Sequence, residues 1–306
     1  MREGIQTRLE SQGTSYSVEQ QLHDVPPHEV YEVVVDGQRA VYKGDTGPTG
    51  NAGVEGRIIE FVGEQTAVPV PEILRVETDY YLTAWDSAAP SPDGDQQADR
   101  AWASVAGRGL ARLHEETAPV METYGAFQRD SGGVTTTRHE EWHTAAVEYV
   151  RHRRPVLDQY GYADVADLVV ELLTDHPDAF AGAGGPVCCH GWATPEHVSV
   201  ADGRVACMVD FEHAIAAPGE YDYWRTVFPA FGPAESAPAL QAFREGYEAV
   251  RPLQRGLDRR KPFYALLNGV YYFESLYVQD QHGPEKTETK AAQLQRKIRE
   301  IVGDLT

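Results

Sequence analysis

Lysine is nearly missing from this chain: Lys43, Lys261, Lys286, Lys290 and Lys297 are the only ones in 306 residues. Arginine supplies most of the positive charge, and 27 basic against 47 acidic residues leave a formal net charge of −20. A surface of that sign excludes a nucleic-acid backbone as partner. High acid with little lysine suits a halophilic adaptation, in which a hydrated carboxylate surface keeps the protein in solution, so the acidity does not require a cationic ligand. Cysteine is scarce too. Cys188, Cys189 and Cys207 are an odd number with two adjacent, which excludes a disulfide framework. With His190, His197 and His213 they could be imagined as a zinc site, but no C-x-x-C spacing supports it, and they read as small apolar residues of core strands. No apolar run reaches membrane-spanning length, and the N-terminal MREGIQTRLE lacks a signal-peptide core. These absences point to a soluble cytoplasmic protein without nucleic-acid or membrane partners.

What is present is ordinary for a folded globular chain. Apolar residues make up 42 % and aromatics 10 %, enough for one large domain or two lobes with real cores. Apolar runs at Tyr16–Val18, Val30–Val35 and Ala40–Lys43 read as strands, with Asp36-Gly37 as a hairpin turn between the last two. The first two strands are joined by His23-Asp24-Val25-Pro26-Pro27-His28, which has no glycine and offers few backbone N–H donors to a phosphate. Gly47-Pro-Thr-Gly50-Asn-Ala-Gly53 matches neither a dinucleotide fingerprint nor a Walker pattern and reads as a connector. Ile58, Ile59 and Val62 share one face of a helix over 54–62. Val68-Pro-Val-Pro71 is extended, and strands follow at Ile73–Val76 and Tyr80–Trp85.

Residues 86–95, with Pro90 and Pro92, form a polar linker. The lobe boundary falls there: 1–86 is a β-rich lobe and 87–306 a helical one. Helices are expected at 99–116, 139–152, 163–174, 236–250, 261–279 and 286–302.

The most informative stretch is 187–213. Val187–Cys189 is a short apolar run, and His190–His197 is a loop holding one Gly, one Pro and two His. Val198–Ala201 and Arg204–Val209 are strands joined by the turn Asp202-Gly203. Asp210-Phe211-Glu212 then closes an apolar run with two carboxylates.

This stretch resembles the aminoglycoside phosphotransferase and choline kinase family, whose catalytic loop reads His-Gly-Asp, four residues, Asn, and whose metal motif reads Ile-Asp-Trp/Phe-Glu. His190-Gly191, Pro195 and Asp210-Phe211-Glu212 match in register, and Leu110-Ala111-Arg112-Leu113-His114 matches a helix motif of the same family. Trp192 stands in place of the family's catalytic Asp, and His197 in place of its metal-binding Asn. Trp192 has no proton-accepting group at neutral pH. The resemblance spans about residues 16–280. It implies an α+β, two-lobed protein-kinase-like fold with a small, mainly antiparallel lobe carrying one helix and a larger, mainly helical lobe.

For the site, the resemblance implies that Lys43 neutralises nucleotide phosphates and pairs with Glu55. Trp85, at the end of the last strand before the linker, joins them in the cofactor-binding set. Asp210 and Glu212 are the metal candidates, with His197 as a third ligand. His190 shapes the loop, and Asp222 hydrogen-bonds it. Glu196 is the nearest carboxylate able to replace the missing base. Trp192 could stack on a base, fill the acceptor pocket or plug it. Tyr221, Tyr223, Trp224, Tyr264, Tyr271, Tyr272 and Phe273 could form a cage for a quaternary ammonium, although at helical spacing such residues are more often core.

Two functions remain open. One is an O-phosphotransferase using ATP or GTP with Mg2+ on a small molecule, with the chain a monomer or homodimer. The other is a catalytically inactive pseudoenzyme of the same fold that senses a nucleotide or metabolite. A Rossmann-type cofactor binder is weaker, because the second half is helical.

Overall fold

Alternating apolar residues at the start of the chain build three antiparallel strands, β1 (Tyr16–Val25), β2 (His28–Val35) and β3 (Gln38–Asp45). The computed structural model describes Ile5 and residues 7–9, 15–91, 96–130, 133–232 and 238–306. The β2–β3 turn places Asp36 and Gly37 at positive φ, the backbone a tight right-twisted hairpin needs. Helix α1 (Ala52–Gln65) follows, then β4 (Ile73–Val76) and β5 (Tyr80–Ala84), giving one antiparallel sheet in the order β1-β2-β3-β5-β4. One face of this sheet covers Ile5 and Leu9 with Tyr31, Val33, Tyr42 and Leu82. Helix α1 packs Ile58, Ile59 and Val62 toward the larger core that continues into the rest of the chain.

Helix α2 (Arg100–Thr117) opens on Asp99, whose carboxylate accepts the Trp102 backbone N–H at 2.8 Å, a standard N-cap. Its buried stripe holds Trp102, Val105, Leu110 and Leu113, as the sequence spacing predicts. Helix α6 (Pro238–Glu248) lies close enough that a Cβ on Gly107 would come within 2.2 Å of the Phe243 carbonyl. The other helices are α3 (Trp142–Gln159), α4 (Ala163–Asp175), α5 (Gly219–Phe231), α7 (Leu257–Val278) and α8 (Pro284–Leu305). Small sheets sit among them. Strands β7 (Gly133–Thr136), β6 (Gly125–Asp130), β11 (Ile215–Pro218) and β8 (Pro186–Cys189) form one, and β9 (Val198–Ala201) pairs with β10 (Arg204–Met208).

The expected helices are present, several with longer ends. Helix α5, β11 and the β6–β7 hairpin were not anticipated. Residues 92–95 of the linker, with Pro92, and residues 236–237 of an expected helix lie outside the described residues. All three cysteines are buried, in β8 and β10. No described helix is long and apolar enough to cross a membrane.

Candidate active site

Strand β3 delivers Lys43 to the centre of the site. Its Nζ lies 2.6 Å from Asp210 Oδ1, 2.9 Å from Glu55 Oε2 and 3.0 Å from Glu212 Oε2. Glu55 comes from the first turn of α1, and the other two carboxylates from the segment after β10. Burial alone would push the ammonium down, but Asp210, Glu212 and Glu55 together hold it well above its ordinary value. Burial raises Glu55, with Lys43 opposing, and its Oε1 accepts the Tyr81 hydroxyl at 3.0 Å. Asp210 takes φ 67°, a left-handed conformation that Asp tolerates better than most residues. Burial works against its charge, but Lys43 and His197 overcome it and hold the carboxyl well below the usual range. Glu212 is depressed in the same way, by Lys43 and His213 against burial.

Three imidazoles surround the carboxylates. His197 donates from Nε2 to Asp210 Oδ2 at 3.0 Å and from Nδ1 to the Trp192 carbonyl at 3.0 Å. His28, at the start of β2, reaches Glu212 Oε2 at 2.8 Å and Asp45 Oδ1 at 3.4 Å. Burial disfavours both charged rings, yet the carboxylates prevail and each is raised to about 9. His213 differs: burial lowers it, and its Nε2 meets Glu212 Oε1 at 3.1 Å and the Tyr271 hydroxyl at 2.8 Å.

The loop after β8 is pinned from below. Asp222, on α5, accepts the backbone N–H groups of His190 at 2.7 Å and Gly191 at 2.8 Å, and its Oδ2 also meets His114 Nε2 at 2.9 Å. His114 in turn meets the Tyr247 hydroxyl at 2.7 Å. Gly191 has φ 86°, and a Cβ there would fall 2.2 Å from the His213 carbonyl, so only glycine fits. Burial lowers His190 to about 4 and keeps it neutral; its Nε2–H donates to the Val209 carbonyl at 2.9 Å, leaving Nδ1 to accept the Trp192 N–H at 3.2 Å.

Trp192 leans over the other side of the loop. Its indole N–H donates to Glu196 Oε1 at 2.9 Å, and the Thr194 hydroxyl donates to the same oxygen at 3.0 Å. The buried Arg225 guanidinium lies 3.4 Å from the Tyr271 ring centre, 4.9 Å from Trp192 and 5.7 Å from Tyr272. The alternative of an aromatic cage for a ligand is therefore set aside in favour of the core reading that helical spacing suggests. Tyr221, Tyr223, Trp224, Tyr264 and Phe273 are core residues, and the two tyrosines facing Trp192 hold the protein's own arginine.

Lys43, Glu55, His197, Asp210 and Glu212 thus meet in one cluster, with His190, Trp192 and Glu196 on the adjoining loop. Trp85 is not among them. Tyr81 pairs with Lys43 across the sheet, so Trp85 lies roughly 13 Å further along, at about 3.3 Å per residue. Its ring is covered by the Arg39 guanidinium at 3.5 Å. Sequence reasoning missed His28 and Arg225. The first follows a Pro-Pro turn that carries no sign of a contact with Glu212. Arg225 lies in α5, whose helical pattern is masked by Pro218 and Pro229.

The sequence matches the phosphotransferase enzyme family (APH) over residues 28–263. No curated protein matches it in sequence. Among solved structures it is similar to a putative fructosamine-3-kinase from Thermobifida fusca, at 19 % identity and a TM-score of 0.67, covering 97 % of this chain and 98 % of that one. A second putative fructosamine-3-kinase, from Haemophilus somnus, gives 15 % identity and a TM-score of 0.68 over 97 % and 96 %. Aminoglycoside phosphotransferase APH(4)-Ia gives 16 % identity and a TM-score of 0.64 over 98 % and 97 %; a mutant of it has been solved as a ternary complex with ADP and hygromycin B. The fold is kinase-like, an antiparallel sheet with one helix followed by a mainly helical portion.

Proposed function

Because the chain belongs to the phosphotransferase enzyme family, we propose that it is a small-molecule O-phosphotransferase using ATP or GTP and magnesium. The observation that carries this is the buried Lys43 held between Glu55 and the Asp210–Glu212 pair. An ammonium poised by carboxylates can exchange them for the oxygens of a polyphosphate. Two carboxylates converging on one cation also form the oxygen donor set of a hard divalent ion, so Asp210 and Glu212 would hold magnesium. When bound, the metal would supply positive charge that neutralises the nucleotide phosphates. His197 joins as a ligand only by releasing the Nε2 proton it shares with Asp210.

The remaining residues position. Asp222 fixes the loop backbone, and neutral His190 ties that loop to the Val209 carbonyl, beside Asp210. Glu196 is the carboxylate closest to Trp192 and takes the proton of the acceptor hydroxyl. Transfer of this kind relies mainly on positioning and charge, so a displaced base lowers the rate without removing it. Trp192 itself favours the second reading, a pseudoenzyme. Its indole is hydrogen-bonded, and packed against the Tyr271 and Tyr272 rings, at the loop position where an acceptor would be oriented.

The site is tested by thermal shift with Mg-ATP and Mg-GTP. At 100 times its Kd a nucleotide adds about 2.7 kcal/mol of stability. The expected result is a clear shift in wild type and none in Asp210→Ala. Equal shifts in both would remove the site assignment.

A further inference from the structure

The chain has five lysines, and two of them face one pocket. A cavity of about 600 Å3 opens between the C-terminal half of α7 and α8. Trp192 and Tyr272 form its inner wall, and Leu294 gives it an apolar side. Lys290 and Lys297, two helical turns apart on the same face of α8, line it together with His282. No carboxylate lines the pocket among the described residues. In a chain with 47 acidic residues that is a marked local departure.

Lys290 has no ion-pair partner among the described residues, and Lys297 meets only Glu300, at 3.7 Å on the helix surface, where such a pair is weak. Both ammonium groups are therefore available. Trp192 links the pocket to the site already described: its ring centre lies 5.9 Å from that of Tyr271 and 6.2 Å from that of His213, and His213 touches Glu212. Glu196 stands beside this wall, bonded to the Trp192 indole. A molecule held at its far end by the lysines rests its near end against Trp192, the residue bonded to the candidate base.

We propose that the pocket between α7 and α8 holds the acceptor, and that the acceptor carries an anionic group, carboxylate or phosphate, held by Lys290 and Lys297. This rests on the phosphotransferase reading and narrows it to small hydroxylated acids. A polycationic acceptor is disfavoured by the same two charges.

The test is calorimetric titration of the full chain at low ionic strength, without nucleotide, so that it stands apart from the Mg-ATP experiment. The probes are D-glycerate, inorganic phosphate, neutral glycerol and cationic choline. Saturable binding of glycerate or phosphate is expected, with little from glycerol and choline, and the tighter anion distinguishes carboxylate from phosphate. The double variant Lys290→Gln, Lys297→Gln should weaken anion binding roughly tenfold or more, whereas Lys286→Gln on the same helix should leave it unchanged. Full affinity in the double variant, tighter binding of choline, or no saturation with either anion overturns the proposal. Anion binding that survives alongside a failed Mg-ATP shift counts against the phosphotransferase reading and leaves the pocket's anion preference standing.

Discussion

Lys43 Nζ stands 2.6 Å from Asp210 Oδ1, a contact that joins residues 167 apart in sequence. The same ammonium also faces Glu55 and Glu212, so one cation serves three buried or partly buried carboxylates. The two partners are not equivalent. Removing the cation leaves Glu55 without an ion-pair partner among the described residues and Asp210 and Glu212 with only their histidines, whereas removing one carboxylate leaves the cation two partners. Lys43→Met should therefore cost about 3–5 kcal/mol, the range for stripping a buried pair of one member, and Asp210→Asn clearly less. Urea unfolding of both variants checks this; equal losses would show that Asp210 alone balances Lys43.

Much of this site was legible in the chain, for physical reasons. A hairpin turn followed by an apolar run and Asp-Phe-Glu announces a strand end whose carboxylates must find a partner. The scarcity of lysine left Lys43 as the only lysine in the first half of the chain. His28 could not be read in the same way. Its role depends on the approach of Glu212 from 184 positions away, which no local pattern encodes. Arg225 shows the opposite limit. The aromatic residues around it were visible as a possible cage, but the identity of the cation inside depended on how α5 packs on α7. Helix α5 was hidden because Pro218 and Pro229 bracket its apolar stripe.

The histidines set a pH dependence with two limbs. His28 and His197 are raised from 6.5 to about 9, so the folded chain keeps protons that the unfolded chain loses. Their contribution is fully present below pH 6.5 and is lost as pH rises through 9. His190, lowered to about 4, acts in the reverse sense: stability falls as pH drops from 6.5 toward 4. Denaturant unfolding from pH 4 to 9 should show both limbs, and His197→Asn should flatten the upper one. An unchanged upper limb in that variant would assign the alkaline loss to other groups.

The net charge of −20 predicts a response to salt. Raising ionic strength from 0.1 to 1 M shortens the screening length from about 10 to about 3 Å, which relieves repulsion among surface carboxylates. Melting temperature should climb steadily into molar potassium chloride. A protein equally stable in dilute buffer would remove the halophilic explanation and reopen the case for a cationic partner.

Trp192 decides between enzyme and pseudoenzyme. It occupies the loop position of the catalytic Asp in the family motif, pinned by its N–H to Glu196 and stacked near Arg225. If the chain is a pseudoenzyme on an intact scaffold, Trp192→Asp alone should bring slow nucleotide turnover, because Asp210, Glu212 and Lys43 are already assembled. If it is an enzyme with a displaced base, wild type turns over with a suitable acceptor. In that case Glu196→Gln should slow it by roughly 10²–10⁴, the range for losing general-base assistance, with nucleotide binding unchanged. Steady-state assays on wild type and both variants, across hydroxylated acids, sugars, amino alcohols and aminoglycosides, separate the outcomes. Turnover in wild type that survives Glu196→Gln rules out Glu196 as the base. Turnover that appears only in Trp192→Asp identifies the indole as the plug that silences the site.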